Sequence, residues 1–245
     1  MKILTLAAAL LVVCAPAVSA QTADEVLEKS VAAQGGRAAL ARIKSRATSG
    51  TIALQTPGGE VSGSIDVYNK TPNKTRSVIK MDLSQFGAGS VAIDQRFDGT
   101  DGYVIDPLQG NRDLTGGQLE NLKNGSFPSA FLDYKARGAT ATLLPRAQVL
   151  GKEAFVVQLA PKTGPATRNY IDADTYMVVR TVVTINVPQL NQDVESTVDF
   201  SDFRAVDGVK VPFTVRLASA VQNYTVTLSK VEHNTELDDS MFRKP

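Results

Sequence analysis

Apolar and polar residues alternate with period two through most of the chain, and the alternation restarts after each cluster of turn residues. In VKVPFTVRLA (209–218), Val209, Val211, Phe213, Val215 and Leu217 share one face, while Lys210, Pro212, Thr214 and Arg216 share the other. That pattern predicts a half-buried strand. Pro212 can donate no ladder hydrogen bond, so the strand is expected at a sheet edge or at a bulge. Upstream, Val198 and Phe200 keep one phase and Phe203 leaves it, which places an irregularity near Ser201-Asp202. TSGTIALQ turns at Thr56-Pro57-Gly58-Gly59 into VSGSIDVYN, a hairpin by its turn residues. TRSVIKM, SVAIDQRF and GYVIDPL read as further strands, followed later by ATATLLPRAQVL, EAFVVQLAP, TRNYIDA, YMVVRTVVTINV, ESTVDF and NYTVTLSKV. Roughly a dozen short β-branched segments without βαβ alternation predict one antiparallel sheet of consecutive hairpins in one domain.

Two places depart from period two. Near the start, Thr22 with Glu25 forms a capping box, and Ala23, Leu27 and Val31 make an i, i+4, i+8 stripe that predicts a helix ending at Gly35-Gly36. A short second helix over 38–43 turns Leu40 and Ile43 inward. Midway, residues 106–138 interrupt the strands. Thr115 with Gln118 has the spacing of a second capping box, opening a helix that carries Leu119 and Leu122. Phe127, Phe131 and Tyr134 at i, i+4, i+7 predict another helix with three rings on one face. That segment is either ordinary core packed on the sheet or a mobile plug over the mouth of a hollow one.

MKILTLAAALLVVCAPAVSA combines Lys2, an apolar run from Ile3 to Val13, and Val18-Ser19-Ala20 before Gln21. It reads as a secretory leader over 1–20 cleaved before Gln21, leaving the domain at 21–245 in solution in the periplasm. A lipoprotein leader acylated at Cys14 is the competing reading, and Val13 fits it poorly. After cleavage no cysteine remains, so no disulfide supports the core. The remaining 25 basic and 25 acidic residues balance, which argues against a nucleic-acid partner. The Asn-x-Ser/Thr triplets at Asn69, Asn73, Asn124 and Asn223 read as polar turn and strand positions.

Candidate chemistry is sparse. The single histidine, His233, lies among charged neighbours and is expected at the surface. No Gly-x-Ser-x-Gly elbow, phosphate-binding loop or dinucleotide fingerprint occurs. With one histidine and one cysteine, a zinc site of the usual type is not expected. Asp98, Asp101 and Asp106, and likewise Asp172 and Asp174, read as turn residues, not as a calcium loop. No cofactor, metal or catalytic residue is expected.

VLEKSVAAQGGRAALARIKS (26–45), FDGTDGYVIDPLQGNRDLTGGQLENLK (97–123), NYIDADTYMVVR (169–180), FSDFRAVDGVKVPF (200–213) and ELDDSMFRKP (236–245) resemble the LolA/LolB-like superfamily, in its exported outer-membrane lipoprotein-sorting branch. The resemblance implies a mainly β fold with a helical lid. Its strongly curved antiparallel sheet is an unclosed barrel covered by the N-terminal and mid-chain helices, and its concave apolar face holds acyl chains. The cavity would then be lined by Ile52, Leu54, Ile65, Val67, Phe97, Val211, Phe213 and Val215. Leu119, Leu122, Phe127, Phe131 and Tyr134 would form the lid. The function implied is a periplasmic, non-enzymatic carrier or sensor of lipids or lipoprotein acyl chains. It would act as a monomer, with an envelope membrane protein as a candidate further partner. Two other readings stay open: an envelope scaffold module with a filled interior, and a hydrolase whose acids meet only in the folded chain.

Overall fold

The computed structural model describes residues 21–187 and 192–245; the leader expected over 1–20 lies outside them. Helices α1 (Ala23–Ala33) and α2 (Arg37–Arg42) lead into strands β1 (Ser45–Thr56), β2 (Gly59–Lys70), β3 (Lys74–Asp82), β4 (Ser90–Phe97), β5 (Gly102–Ile105) and β6 (Arg112–Leu114). Helix α3 (Gly116–Asn124) opens the mid-chain insertion. The chain then continues through β7 (Thr140–Val149), β8 (Lys152–Ala160), β9 (Thr167–Asp172), β10 (Val178–Val187), β11 (Gln192–Val206), β12 (Val209–Ser219) and β13 (Asn223–His233). All thirteen strands belong to one antiparallel sheet in the order β6-β5-β4-β3-β2-β1-β13-β12-β11-β10-β9-β8-β7. Two meanders, β1 to β6 and β7 to β13, thus lie side by side, joined by the pairing of the first strand with the last. Edge strands β6 and β7 do not meet, so the curved sheet remains an unclosed barrel. The insertion runs from one edge to the other.

Side-chain phase separates two faces. Phe155, Val157 and Leu159 of β8, Val211, Phe213 and Val215 of β12, Val226 of β13, and Ile52 and Leu54 of β1 follow one another across the paired registers on the inner face. Helices α1 and α2 cover one half of it. The capping box at the start of α1 forms: Glu25 N–H donates to Thr22 Oγ1 at 3.2 Å, and Thr22 N–H to Glu25 Oε2 at 2.9 Å. Val26, Leu27, Val31, Leu40 and Ile43 are all buried. On the outer face, Arg76 and Arg96 converge on Asp94, and the C-terminal segment straps over β3 and β4 with Leu237 and Phe242 buried.

Three expectations need correction. Pro212 is not in an edge strand, because β12 lies between β11 and β13. Yet β12 pairs with β13 only from Thr214 to Ala218, whereas β13 continues alongside β1 as far as His233. The two strands part below Thr214, and Pro212 falls in this local edge, where a missing N–H is tolerated. Lys210 N–H instead donates to Gln34 O in the α1–α2 turn at 2.8 Å. Gly35 makes that approach possible: its φ is +128°, and a Cβ there would lie 2.3 Å from Gly208 O.

The irregularity at Ser201-Asp202 is no inserted residue. Ser201 pairs with Thr214 and Phe203 with Pro212 in one unbroken register, with Asp202 between them at φ 52°. The third correction concerns the insertion. Thr115 precedes α3 in the N-cap position but makes no side-chain cap bond. Residues 125–139 form turns and bends where a second helix was expected. There Arg37 Nη1 donates to Leu132 O and Arg137 Nη2 to Ala130 O, both at 2.9 Å. Carbonyls that a helix would satisfy internally are met by arginine side chains.

The β1–β13 pairing is close at Gly50, where a Cβ would sit 2.3 Å from Thr227 O and 2.9 Å from Leu228 Cα. Gly50→Ala is therefore expected to lower unfolding stability by about 1–3 kcal/mol through overpacking, measured by urea denaturation. A loss within the error of the measurement would show that the two strands have room to separate.

Candidate functional site

The inner face holds two apolar clusters of different construction. In the first, α1 and α2 pack with Phe155, Val157, Leu159, Ile171, Val209, Val211 and Phe213, and with Phe131 and Tyr134 of the insertion. Phe131 and Tyr134 are 4% and 6% exposed, and the Tyr134 hydroxyl bonds to Asp24 of α1. This half of the trough is filled. The second cluster contains Ile52, Ile65 and Val226, with Val67, Ile79, Val215, Tyr224 and Leu228 packed against it. All of these come from β1, β2, β3, β12 and β13, and no helix residue belongs to the cluster. Leu54 continues the same face, opposite Val61 and Tyr224. Phe97 is fully buried on β4, opposite Thr75 and Gly102. Burial raises the Tyr224 phenol pKa above its ordinary value.

Helix α3 lies against β10 and buries none of its residues; Leu119 and Leu122 are half-buried. Asn121 Nδ2 donates to Thr184 O at 2.9 Å, and Asn124 Nδ2 to Thr163 O at 2.8 Å. A cavity of about 480 Å³ opens between this side of the insertion and β8 to β10, lined by Tyr134, Leu159, Val183, Ile185, Asn121 and Asn169 among others. A second, of about 340 Å³, lies between Leu122 and Phe127 of the insertion and Arg46, Asn69 and Thr75 of the sheet. The structure thus brings Phe131, Tyr134, Val211 and Phe213 together in the filled half. Ile52, Leu54, Ile65, Val67 and Val215 lie together in the other, Leu119 and Leu122 stand on α3, and Phe127 sits between the halves.

Arg46 and His233 were not expected at this site. His233 was expected at the surface, but its side chain is 1% exposed. Ser229 is an extra residue in β13 relative to β1, and this bulge brings Val231 and His233 into the phase of Thr48 and Arg46. Arg46 Nε donates to His233 Nε2 at 3.0 Å, so that nitrogen accepts and Nδ1 carries the proton toward Asp207 Oδ2 at 3.1 Å. The pair bridges the gap where β12 and β13 part. Among the described residues Arg46 has no carboxylate within ion-pair distance. Its guanidinium lies 5.2 Å from the Phe127 ring centroid, and burial pushes its pKa down to about 10. Arg46 stands in the same alternating phase as Thr48, Ile52 and Leu54, which is the signal in the sequence that places it on the inner face.

Asp98, Asp106 and Asp172, read as turn residues, bind turn amides. Asp98 Oδ1 accepts from Thr100 and Asp101, Asp106 Oδ1 from Leu108 and Gln109, and Asp172 Oδ1 from Asp174 and Thr175.

Burial, together with the Arg46 charge, lowers the His233 pKa from 6.5 despite the opposing pull of Asp207. A depressed folded-state value favours the neutral ring. Its contribution is complete above the unfolded pKa and is lost as pH falls through the folded one. Below about pH 6.5 the wild type should therefore lose stability more steeply than His233→Gln, measured by urea melts between pH 7.5 and 5. Parallel pH profiles would contradict the assignment.

No family model and no curated protein sequence matches the chain. Solved structures do. A LolA superfamily protein from Nitrosomonas europaea superposes with a TM-score of 0.59 at 16% identity, covering 92% of this chain and 99% of its own. For a DUF1329 family protein from Desulfovibrio piger the TM-score is 0.58 at 14% identity, over 91% and 98% of the two chains. For a domain from Vibrio parahaemolyticus described as an outer membrane lipoprotein-sorting protein it is 0.56 at 12%, over 90% and 95%. Identities this low speak for architecture alone. The unclosed thirteen-stranded sheet, with its inner face under helices, is the LolA-like fold.

Proposed function

We propose that the chain is a non-enzymatic periplasmic carrier or sensor that holds lipid or lipoprotein acyl chains on the inner face of its sheet, after export and cleavage before Gln21. One observation carries this reading: an apolar strip from five strands, centred on Ile52, Ile65 and Val226, continues the inner face beyond α1 and α2 without any helix residue packed into it. Each methylene laid on such a surface contributes roughly 0.8 kcal/mol, and cavities of this size suit small apolar ligands. Ile52, Leu54, Ile65, Val67 and Val215 form the floor in this reading, and Leu119 and Leu122 the movable cover. No helix among the described residues is long and apolar enough to cross a membrane. The description of the similar Vibrio parahaemolyticus domain points the same way.

The packing of α1, Phe131 and Tyr134 favours a second reading for the other half, an envelope scaffold with a filled interior. Lipid extraction and native mass spectrometry of protein purified from its own host separate the two. Lipid in near-stoichiometric amount supports the carrier, and a lipid-free protein supports the scaffold.

If α3 is the cover, it opens at much lower cost than global unfolding. Amides of 116–124 should then exchange with solvent faster than those of 153–159 and 209–217, and added lipid should change their rates. Phe131 and Tyr134, tied to α1, should exchange with the core. Protection of 116–124 equal to the strands, and insensitive to lipid, would sink the cover.

A further inference from the structure

The feature least explained by a purely apolar carrier is a cation inside it. Arg46 points into the 340 Å³ cavity beneath Phe127, whose lining includes two cations, Arg46 and Lys74, and no carboxylate. Lys74 is taken by Asp239 on the outer side, at 2.7 Å. Arg46 has only the neutral His233 ring, and Asp207, the nearest acid in that chain of bonds, reaches it through that ring and is itself 65% exposed. A largely desolvated guanidinium with one hydrogen bond is costly to keep unless a partner completes its fork.

The surroundings indicate what that partner is. Along β1 the inner-face residues run Arg46, Thr48, Gly50, Ile52, Leu54. Along β2, Asn69 pairs with Arg46, and Val67, Ile65 and Gly63 follow. Both strands pass from polar to apolar in the same direction, over roughly 20 Å between Arg46 and Ile52 at strand spacing. Ile52 and Ile65 are buried, so a ligand that extends from the cavity along these strands must displace what covers them, and it then meets a cation at one end and aliphatic side chains over the rest.

We propose that the inner face takes a lipid with an anionic headgroup, its carboxylate or phosphate seated on Arg46 under Phe127 and its chain laid along Ile65 and Ile52. The inference rests on the lipid-binding reading above and specifies its ligand. A planar guanidinium grips a carboxylate or phosphate through two parallel N–H donors. The head is then the fixed end, and the chain is held by non-directional contact.

The test compares oleic acid, oleoyl lysophosphatidic acid and oleyl alcohol for binding to the full chain at pH 8 by titration calorimetry. The wild type should bind at least one of the two anions on the order of tenfold more tightly than the alcohol. Arg46→Gln should bring the ratio close to one without weakening the alcohol, and Arg46→Lys should keep part of the preference. Which anion wins identifies the source of the headgroup, carboxylate or phosphate. Equal affinity of the wild type for anions and alcohol overturns the inference while leaving lipid binding intact, and needs no variant to fold. A preference that survives in Arg46→Gln, shown folded by circular dichroism, also overturns it. Failure of all three lipids to bind removes it together with the reading on which it stands.

Discussion

The hydrogen-bond ladder between β1 and β13 is the constraint on which the rest depends. It turns two separate meanders into one sheet and makes the inner face continuous from β8 to β4. Ile52 meets Val226 across it, and Val226 meets Val215 on the next strand, so the second apolar cluster straddles the ladder. The same ladder sets Arg46 against His233. Close approach there is bought with Gly50, and the bulge at Ser229 decides which residues of β13 face inward beyond it. Splitting the ladder would leave two sheets with unpaired edges and would divide the apolar strip.

The two halves of the trough differ because their covers differ. Helix α1 lies against β7 and β8 and buries a full stripe in the shared core, and the turns of 125–139 are tied to it through Tyr134 and Lys135, both bonded to Asp24. Helix α3 contributes no buried residue and is held mainly by amide side chains on backbone carbonyls. A helix-packed core and an apolar cluster built from strands alone therefore sit on one sheet, with Arg46 and Phe127 at their boundary.

The strands were legible because period two survives even where neighbours are unknown: the hairpin of β1 and β2, the strip Val211–Phe213–Val215 and the helix behind Thr22 are all as the pattern predicts. Which strands pair was not legible for β1 and β13, since no local turn joins them. The insertion misled because Phe127, Phe131 and Tyr134 satisfy a helical spacing that separately docked side chains in turns satisfy equally well. Arg37 and Arg137, distant or disguised in sequence, hold the carbonyls there. His233 was misplaced for a related reason: a single extra residue, Ser229, inverts the phase after it, and charged neighbours such as Lys230 and Glu232 then describe the opposite face. Of the candidate site, the apolar floor could be read from alternation, whereas the Arg46–His233–Asp207 bridge required the fold.

That first strand pairs with last has a consequence for the order in which the molecule is made. Ser49 and Ser229, bonded across the ladder, are 180 residues apart in sequence, while almost every other strand contact is between neighbours in a hairpin. Local hairpins form early, and the long-range closure comes late because its loop entropy must be met first. During synthesis β1 emerges near the beginning and waits, one edge open, until the final strand arrives. Such an edge invites pairing with another chain. The small and polar residues of β1 at Ser49, Gly50 and Thr51 make it a poor template for a stranger, while Gly50 still admits the close approach of Thr227.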